Sequence, residues 1–166
     1  MAINSKKKGN TFERKIAKML SDRFVSHTGK EHSFRRNIDS GSFFGGTNEK
    51  RMDSYDLDKA EFGDIVCPKD FIFSLECKHY KTAPSFSAIL SGECAMFDTW
   101  IEEAEQDARN SGRHPCIIMK FNNVKESVMT KVLSDAVSGV MTYKGYVIVP
   151  LSDFLTQPTG WFFDPK

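Results

Sequence analysis

Residues 63–79 read GDIVCPKDFIFSLECKH, and this stretch decides the fold. Two strand-like runs, Gly63–Cys67 and Phe71–His79, flank Pro68-Lys69-Asp70, which has the chemistry of a turn. The reading is an antiparallel hairpin. Within it Asp64 and Glu76, 12 positions apart about the turn, come roughly opposite one another. Side chains directly across such a pair lie about 4.5–5.5 Å apart at Cβ. Two carboxylates that close repel unless positive charge sits between them. A hard divalent cation with oxygen ligands, Mg²⁺ foremost and Mn²⁺ as its substitute, is the natural resolution. Strand alternation puts Glu76 and Lys78 on one face and sends Leu75 and Cys77 to the other. One face therefore offers Asp64, Glu76 and Lys78, a set suited to metal-assisted phosphodiester hydrolysis. The cation polarises the phosphoryl group and acidifies a water, while the lysine orients that water or stabilises developing negative charge. The backbone carbonyl of Cys77 is a further oxygen donor. By itself an E-x-K in a strand more often marks the solvated face of an edge strand.

Upstream, Asn10 to Phe24 reads as an amphipathic helix, with Phe12, Ile16, Met19, Leu20 and Phe24 on one stripe. Asn10 is placed to cap it, and Glu13 follows three positions later as in a capping box. Phe34–Ile38 is a short strand candidate carrying Arg35 and Arg36. No periodicity runs through 39–62, where Ser40-Gly41-Ser42 and Gly45-Gly46 suggest a long loop. Downstream, Ser85–Leu90 reads as a short helix. Phe97, Trp100, Ile101, Ala104 and Ala108 mark a longer one, stopped by Gly112. Cys116–Phe121 is a buried strand. Val128 to Val137 has helical spacing up to Gly139, Tyr146–Val149 is a strand, and Leu151–Leu155 a short terminal helix. The expected architecture is a single α/β domain over 1–166, a mixed sheet with helices on both faces, with a flexible basic segment at 1–9.

Composition is consistent with this. The chain has 166 residues, 40% hydrophobic and 27% charged, an ordinary globular balance with no need of disulfides or a structural metal. No apolar run approaches the roughly 20 residues of a membrane span, and no apolar segment follows the basic N-terminus as in a secretory signal. The net charge of +1 conceals an asymmetry. Residues 1–51 carry 12 Lys/Arg against 5 Asp/Glu, whereas 52–166 carry 11 against 17. That distribution fits either a polyanion partner on one side or a solvated basic face. Cys67, Cys77, Cys94 and Cys116 have no CxxC or zinc-ribbon spacing, so they read as reduced thiols in a cytoplasmic protein.

The motifs come in a recognisable order: Lys8-Gly9, Glu13-Arg14 in a first helix, Arg35/Arg36, Ser40-Gly41, Gly63-Asp64-Ile65-Val66, then Leu75-Glu76-Cys77-Lys78. From Lys7 to about Lys120 this resembles the PD-(D/E)xK nuclease superfamily, and within it the archaeal-type Holliday junction resolvases and their phage relatives. The resemblance implies a restriction-endonuclease-like core working as a homodimer on branched DNA, in a prokaryotic or phage-infected cell. It assigns catalysis to Glu13, Ser40, Asp64, Glu76 and Lys78, with metal held by Glu13, Asp64, Glu76 and the Cys77 carbonyl. It also points to Gln106 on the following helix and to Lys120. Two departures stand out. Gly63 replaces the proline of the superfamily name, and 23 positions separate Gly41 from Asp64, so the insert Gly45–Phe62 bears on substrate choice.

Other readings compete at several positions. Glu13 also serves as a capping-box residue, worth about 1 kcal/mol, and Ser40 as a plain turn residue. Lys8, Arg14, Arg35 and Arg36 are the cations best placed to meet phosphates. Phe43 and Phe44 either stack on splayed bases or pack onto the domain. His79 turns to the face opposite Lys78, and Trp100 belongs to the core. Three functions follow: a Mg²⁺-dependent endonuclease resolving four-way junctions, a PD-(D/E)xK nuclease of other specificity, and a non-catalytic DNA-binding module.

Overall fold

The computed structural model describes residues 5–38, 62–134 and 141–165. Helix α1 (Ser5–Thr28) leads to a two-residue strand β1 (Arg35–Arg36), followed after 39–61 by β2 (Ile65–Val66) and β3 (Phe73–Tyr80). Then come α2 (Phe86–Ser91), α3 (Ala95–Ser111), β4 (His114–Phe121), β5 (Ser127–Thr130), β6 (Met141–Tyr143), β7 (Tyr146–Pro150) and α4 (Leu151–Phe154). A 3₁₀ turn at Thr159–Phe162 follows.

Five strands form one mixed sheet in the order β3-β4-β5-β7-β6. The β3–β4 pair is parallel, with Glu76 beside Ile117 and Lys78 beside Met119, and the remaining neighbours are antiparallel. A parallel pair needs a crossover, and α3 is that crossover. β3 is therefore an edge strand of this sheet.

The sheet buries both faces. Against α1, the i, i+4 stripe Phe12–Ile16–Leu20–Phe24 packs with Leu75, Cys77, Cys116, Ile118, Val128 and Val149. Against α3, Phe97, Trp100 and Ala104 pack with Ile117, Met119, Met129, Tyr143 and Tyr146. The expected mixed sheet with helices on both faces is what the chain forms. All four cysteines are free and buried. Among the described residues no helix is long and apolar enough to cross a membrane.

Several local expectations are corrected. α1 begins at Ser5, so Asn10 lies inside the helix instead of capping it, and Lys7, Lys8 and Gly9 of the basic 1–9 segment are helical. β2 pairs with β1 (Arg35↔Val66, Arg36↔Ile65) and not with β3 as a hairpin. The reason lies at the turn. Ile72 N–H bonds the Phe162 carbonyl (3.0 Å), Asp164 N–H bonds the Asp70 carbonyl (2.7 Å), and Phe71 bridges Phe163. The C-terminal segment thus takes the backbone groups that a hairpin would have used.

The helix expected from Val128 is instead the strand β5. Val128 points into the α1-side core and its neighbour Met129 into the α3-side core. A strand covered on both faces has consecutive apolar residues, and their spacing mimics a helix. Ala136, Val137 and Gly139 lie outside the described residues. Finally, β6 and β7 form a hairpin about Lys144-Gly145, both at positive φ (46° and 82°), as a tight primed turn demands.

Candidate active site

The outer edge of β3 is where the charged residues gather. Alternation along the strand places Leu75 and Cys77 under α1 and aims Glu76 and Lys78 at α3. Glu76 and Lys78 are nearly covered, with side-chain exposures of 13% and 14%. Lys78 Nζ donates to Glu76 Oε1 (2.7 Å) and to Glu103 Oε2 (2.6 Å), so one ammonium is held between two carboxylates. Both contacts raise the lysine's affinity for its proton above the ordinary value, against the effect of burial.

Asp64 reaches this group from the β2 side. Its Oδ2 accepts the Cys77 N–H (2.8 Å), which fixes the carboxylate at the strand edge beside Glu76. A strand residue sends its N–H and C=O to the same side. The Leu75 N and O both face Gly63, and the Cys77 N–H faces Asp64. The Cys77 carbonyl therefore shares that edge with Asp64 and is available to a ligand there.

The Gly63–Asp64 unit is pinned at three of its backbone groups. Asp64 N–H bonds the Leu75 carbonyl (2.8 Å), and the Asp64 carbonyl accepts the Asn37 N–H (2.8 Å). The Gly63 carbonyl accepts Asn37 Nδ2 (2.9 Å). Gly63 has φ +84°, and a Cβ there would stand 2.6 Å from the Leu75 carbonyl oxygen. Only glycine fits this approach. Proline, whose ring fixes φ at a negative value, could not adopt that conformation, which accounts for the glycine in the proline's place.

The electrostatics are those of a site short of positive charge. Burial first, and then Asp64, hold the Glu76 carboxyl well above the usual range, and Lys78 offsets this only in part. Asp107 is pushed up to about 6, chiefly by burial and next by Asp64. Among the described residues no group of three or more His, Cys, Asp or Glu side chains is gathered at metal-holding distance. The hard oxygen donors present are Asp64, Glu76 and the Cys77 carbonyl, and that set suits a divalent cation such as Mg²⁺. The crowded carboxylates give such a cation a reason to bind.

Glu13 lies close enough to feel Asp64, but its carboxylate accepts the Arg36 guanidinium, which also donates to Asn10 Oδ1 (2.9 Å). Burial raises the Glu13 carboxyl above its ordinary range, with Arg36 opposing. The capping-box role for Glu13 does not survive, because the helix begins two turns earlier. Nor is Arg36 a free surface cation: it is half-buried as the counter-ion of Glu13. Among the other basic candidates, Arg14 and Arg35 are exposed, and Lys8 donates to Asn122 Oδ1 (2.7 Å). Ser40, Phe43 and Phe44 lie outside the described residues.

His79 turns to the α1 side as expected, its ring 5.4 Å from that of Phe12. Burial and the nearby Lys8 and Lys120 hold it below its ordinary proton affinity. Lys120 donates to the Val124 carbonyl (2.6 Å) on the same side. Gln106 does not reach the site, since it bonds Asn110 and Arg109 along its own helix. Glu103 and Asp107 take that place, at i and i+4 beside the buried Ala104/Ala108 stripe. Sequence reasoning passed over both, and over Asn37. The i, i+4 acidic spacing next to a small-residue stripe was the available signal on α3, while Asn37 left none.

A model of the family described as "Phage putative PDDEXK endonuclease" matches residues 4–157. No curated protein matches the sequence. Among solved structures, the chain is similar to the Holliday junction resolvase Hjc of Archaeoglobus fulgidus, an archaeal hyperthermophile. That likeness has 16% identity over 87% of this chain and 88% of that one, with a TM-score of 0.41.

Proposed function

This chain belongs to the phage PDDEXK endonuclease family, and from that premise we propose that it resolves four-way DNA junctions by Mg²⁺-dependent phosphodiester hydrolysis, as a homodimer. The carrying observation is the strand edge itself, where Asp64 is seated on the Cys77 N–H beside a buried Glu76–Lys78 pair. Asp64, Glu76 and the Cys77 carbonyl would hold the cation, and Mn²⁺ would substitute for Mg²⁺. When bound, the cation acidifies a water and polarises the scissile phosphoryl group.

Lys78 keeps its proton and directs N–H donors into the site, where they orient the attacking water and stabilise charge on the phosphate. Glu76 and Glu103 fix the position of its ammonium. Glu13, paired with Arg36 at the α1 side, would complete the metal shell. Exposed Arg14 and Arg35, with Lys8, meet DNA phosphates. Ser40 joins the catalytic set, as the family resemblance implies. A homodimer fits because symmetric resolution needs two equivalent cuts on opposing strands. The working compartment is the cytoplasm of a prokaryotic or phage-infected cell.

Incubation with labelled four-way junction, linear duplex and flap DNA, in Mg²⁺ or EDTA, tests this. Paired cuts across the junction in Mg²⁺ alone are expected. Linear duplex cut as readily as junction removes the resolvase assignment and leaves a PD-(D/E)xK nuclease of other specificity, a reading favoured by the insert at 45–62. Tight DNA binding with no cleavage of any substrate points to a non-catalytic module.

A further inference from the structure

Lys78 is shared between two carboxylates from different layers of the fold. Glu76, on the same strand, takes one of its N–H groups at Oε1 (2.7 Å), and Glu103, on α3, takes another at Oε2 (2.6 Å). The two partners are not equivalent. Glu76 is nearly covered and belongs to the donor set of Asp64 and the Cys77 carbonyl. Glu103 stands outside that set, with half of its side chain exposed. Its place on the helix is nonetheless fixed. Trp100 and Ala104, three positions before it and one after, are buried with Ile117 and Met119, and Met119 is the residue beside Lys78 in the sheet.

Glu76 cannot give Oε1 to a divalent cation and keep the ammonium on it, because two cations on one oxygen repel. A lysine with Glu76 as its single carboxylate would then be left unpartnered in a covered site, which is costly. With Glu103 in reach it is not. We propose that Glu103 is a positioning residue that keeps the Lys78 ammonium in place while Glu76 turns its oxygens to the cation. The inference rests on the metal-dependent reading of the site and adds a role for a residue outside the motif. An ammonium has three donors. The N–H that Glu76 releases is then free to meet a phosphate oxygen or the attacking water, while Glu103 keeps another. Glu103 therefore sets cation affinity without touching the cation, and it does so only through Lys78.

That last condition is what an experiment can break. Mn²⁺ affinity is measured by calorimetry, without DNA, on the full chain and on Glu103→Ala, Lys78→Met and the double variant. Residues one contact away from a metal ligand typically change affinity by about 10–100-fold, so Glu103→Ala is expected to weaken Mn²⁺ binding by about 10-fold. In the Lys78→Met background the same substitution should change it by less than about 2-fold, because the partner through which it acts is gone. Glu103→Gln, which keeps an oxygen to accept the Lys78 N–H but carries no charge, should restore most of the affinity that alanine loses.

Equal weakening by Glu103→Ala with and without Lys78 overturns the proposal, since that marks a negative charge acting across space. Unmodified affinity in Glu103→Ala overturns it as well. Should Lys78→Met fail to fold, the glutamine variant decides: affinity near that of the unmodified chain supports positioning, and affinity as low as that of alanine overturns it. An unmodified chain that binds no Mn²⁺ overturns the metal reading itself and the role of Glu103 with it, an outcome distinct from a cation bound equally well by every variant.

Discussion

The two faces of β3 are made from alternate residues of one strand, yet they have opposite characters. Leu75 and Cys77 face α1 in an apolar layer with Phe12, Ile16, Cys116 and Ile118. Glu76 and Lys78, their immediate neighbours, face α3 and meet Glu103 beside Asp107. Burial on the first face is favourable, at about 25 cal/mol per Å² of apolar surface. Burial on the second works against the charged form of Glu76. The strand holds a strained constellation on one side because the other side anchors it. Stability and chemistry should therefore separate by face, and substitutions can break or sharpen that division.

The largest effect is expected at Glu76→Gln. Removing one preorganised electrostatic contact from an active site lowers turnover by about 10²–10³-fold, and loss of a metal-holding carboxylate should reach the upper end. Because Glu76 is buried with a raised proton affinity, the same change should leave stability unchanged or slightly higher. Leu75→Ala should do the reverse, losing about 2–5 kcal/mol to the cavity at a fully buried site. The folded fraction should still cleave. Cleavage assays paired with urea denaturation of both variants read the contrast directly, and a large stability loss at Glu76 or a lost reaction at Leu75 would break it.

Gly63→Ala falls between the two classes. The added Cβ meets the Leu75 carbonyl at 2.6 Å, with φ in a region that alanine disfavours. Strain of this kind costs about 1–3 kcal/mol. The displaced turn carries Asp64 with it, so this variant should lose stability and metal affinity together, measured by denaturation and Mn²⁺ titration.

These faces also show how far the sequence could be read. The Phe12–Phe24 stripe, the α3 stripe and the E-x-K alternation were legible because each is a local periodicity imposed by a helix or a strand. The nearness of Asp64 to Glu76 was legible too, although for a reason only half right. The two segments do meet at the Asp64 N–H and Leu75 O, but β2 pairs with β1. The partner that displaced the expected hairpin is Phe162–Asp164, about 90 residues downstream of the turn, and no local pattern announces a contact of that range. Asn37 escaped for a related reason, because what it satisfies are backbone groups of a distant turn. The strand at Ser127–Thr130 was missed because residues covered on both faces lose the alternation that identifies a strand.

The smallest expected effect sharpens the comparison furthest, since it sets one carboxylate from each side of the sheet in opposite directions. Glu126, at the α1 side, is held down to about 2, first by the Lys15 ammonium. Its folded value lies below that of an unfolded glutamate, about 4.3. Its contribution is therefore present above that value and lost as pH falls toward 2. Glu76 has the opposite sign. Its folded value is raised, so the folded state binds that proton more tightly than the unfolded chain does. Stability linked to it is present below the unfolded value and declines as pH rises through the raised one. In EDTA, Glu126→Gln should flatten the acid limb of the stability curve, by about 1 kcal/mol or less because Lys15 is largely exposed. Glu76→Gln should flatten the decline above the usual carboxylate range. Urea midpoints across pH read both slopes. Adding Mn²⁺ should abolish the second effect and leave the first, because a bound cation replaces the proton on Glu76 and has no purchase on the Lys15–Glu126 pair.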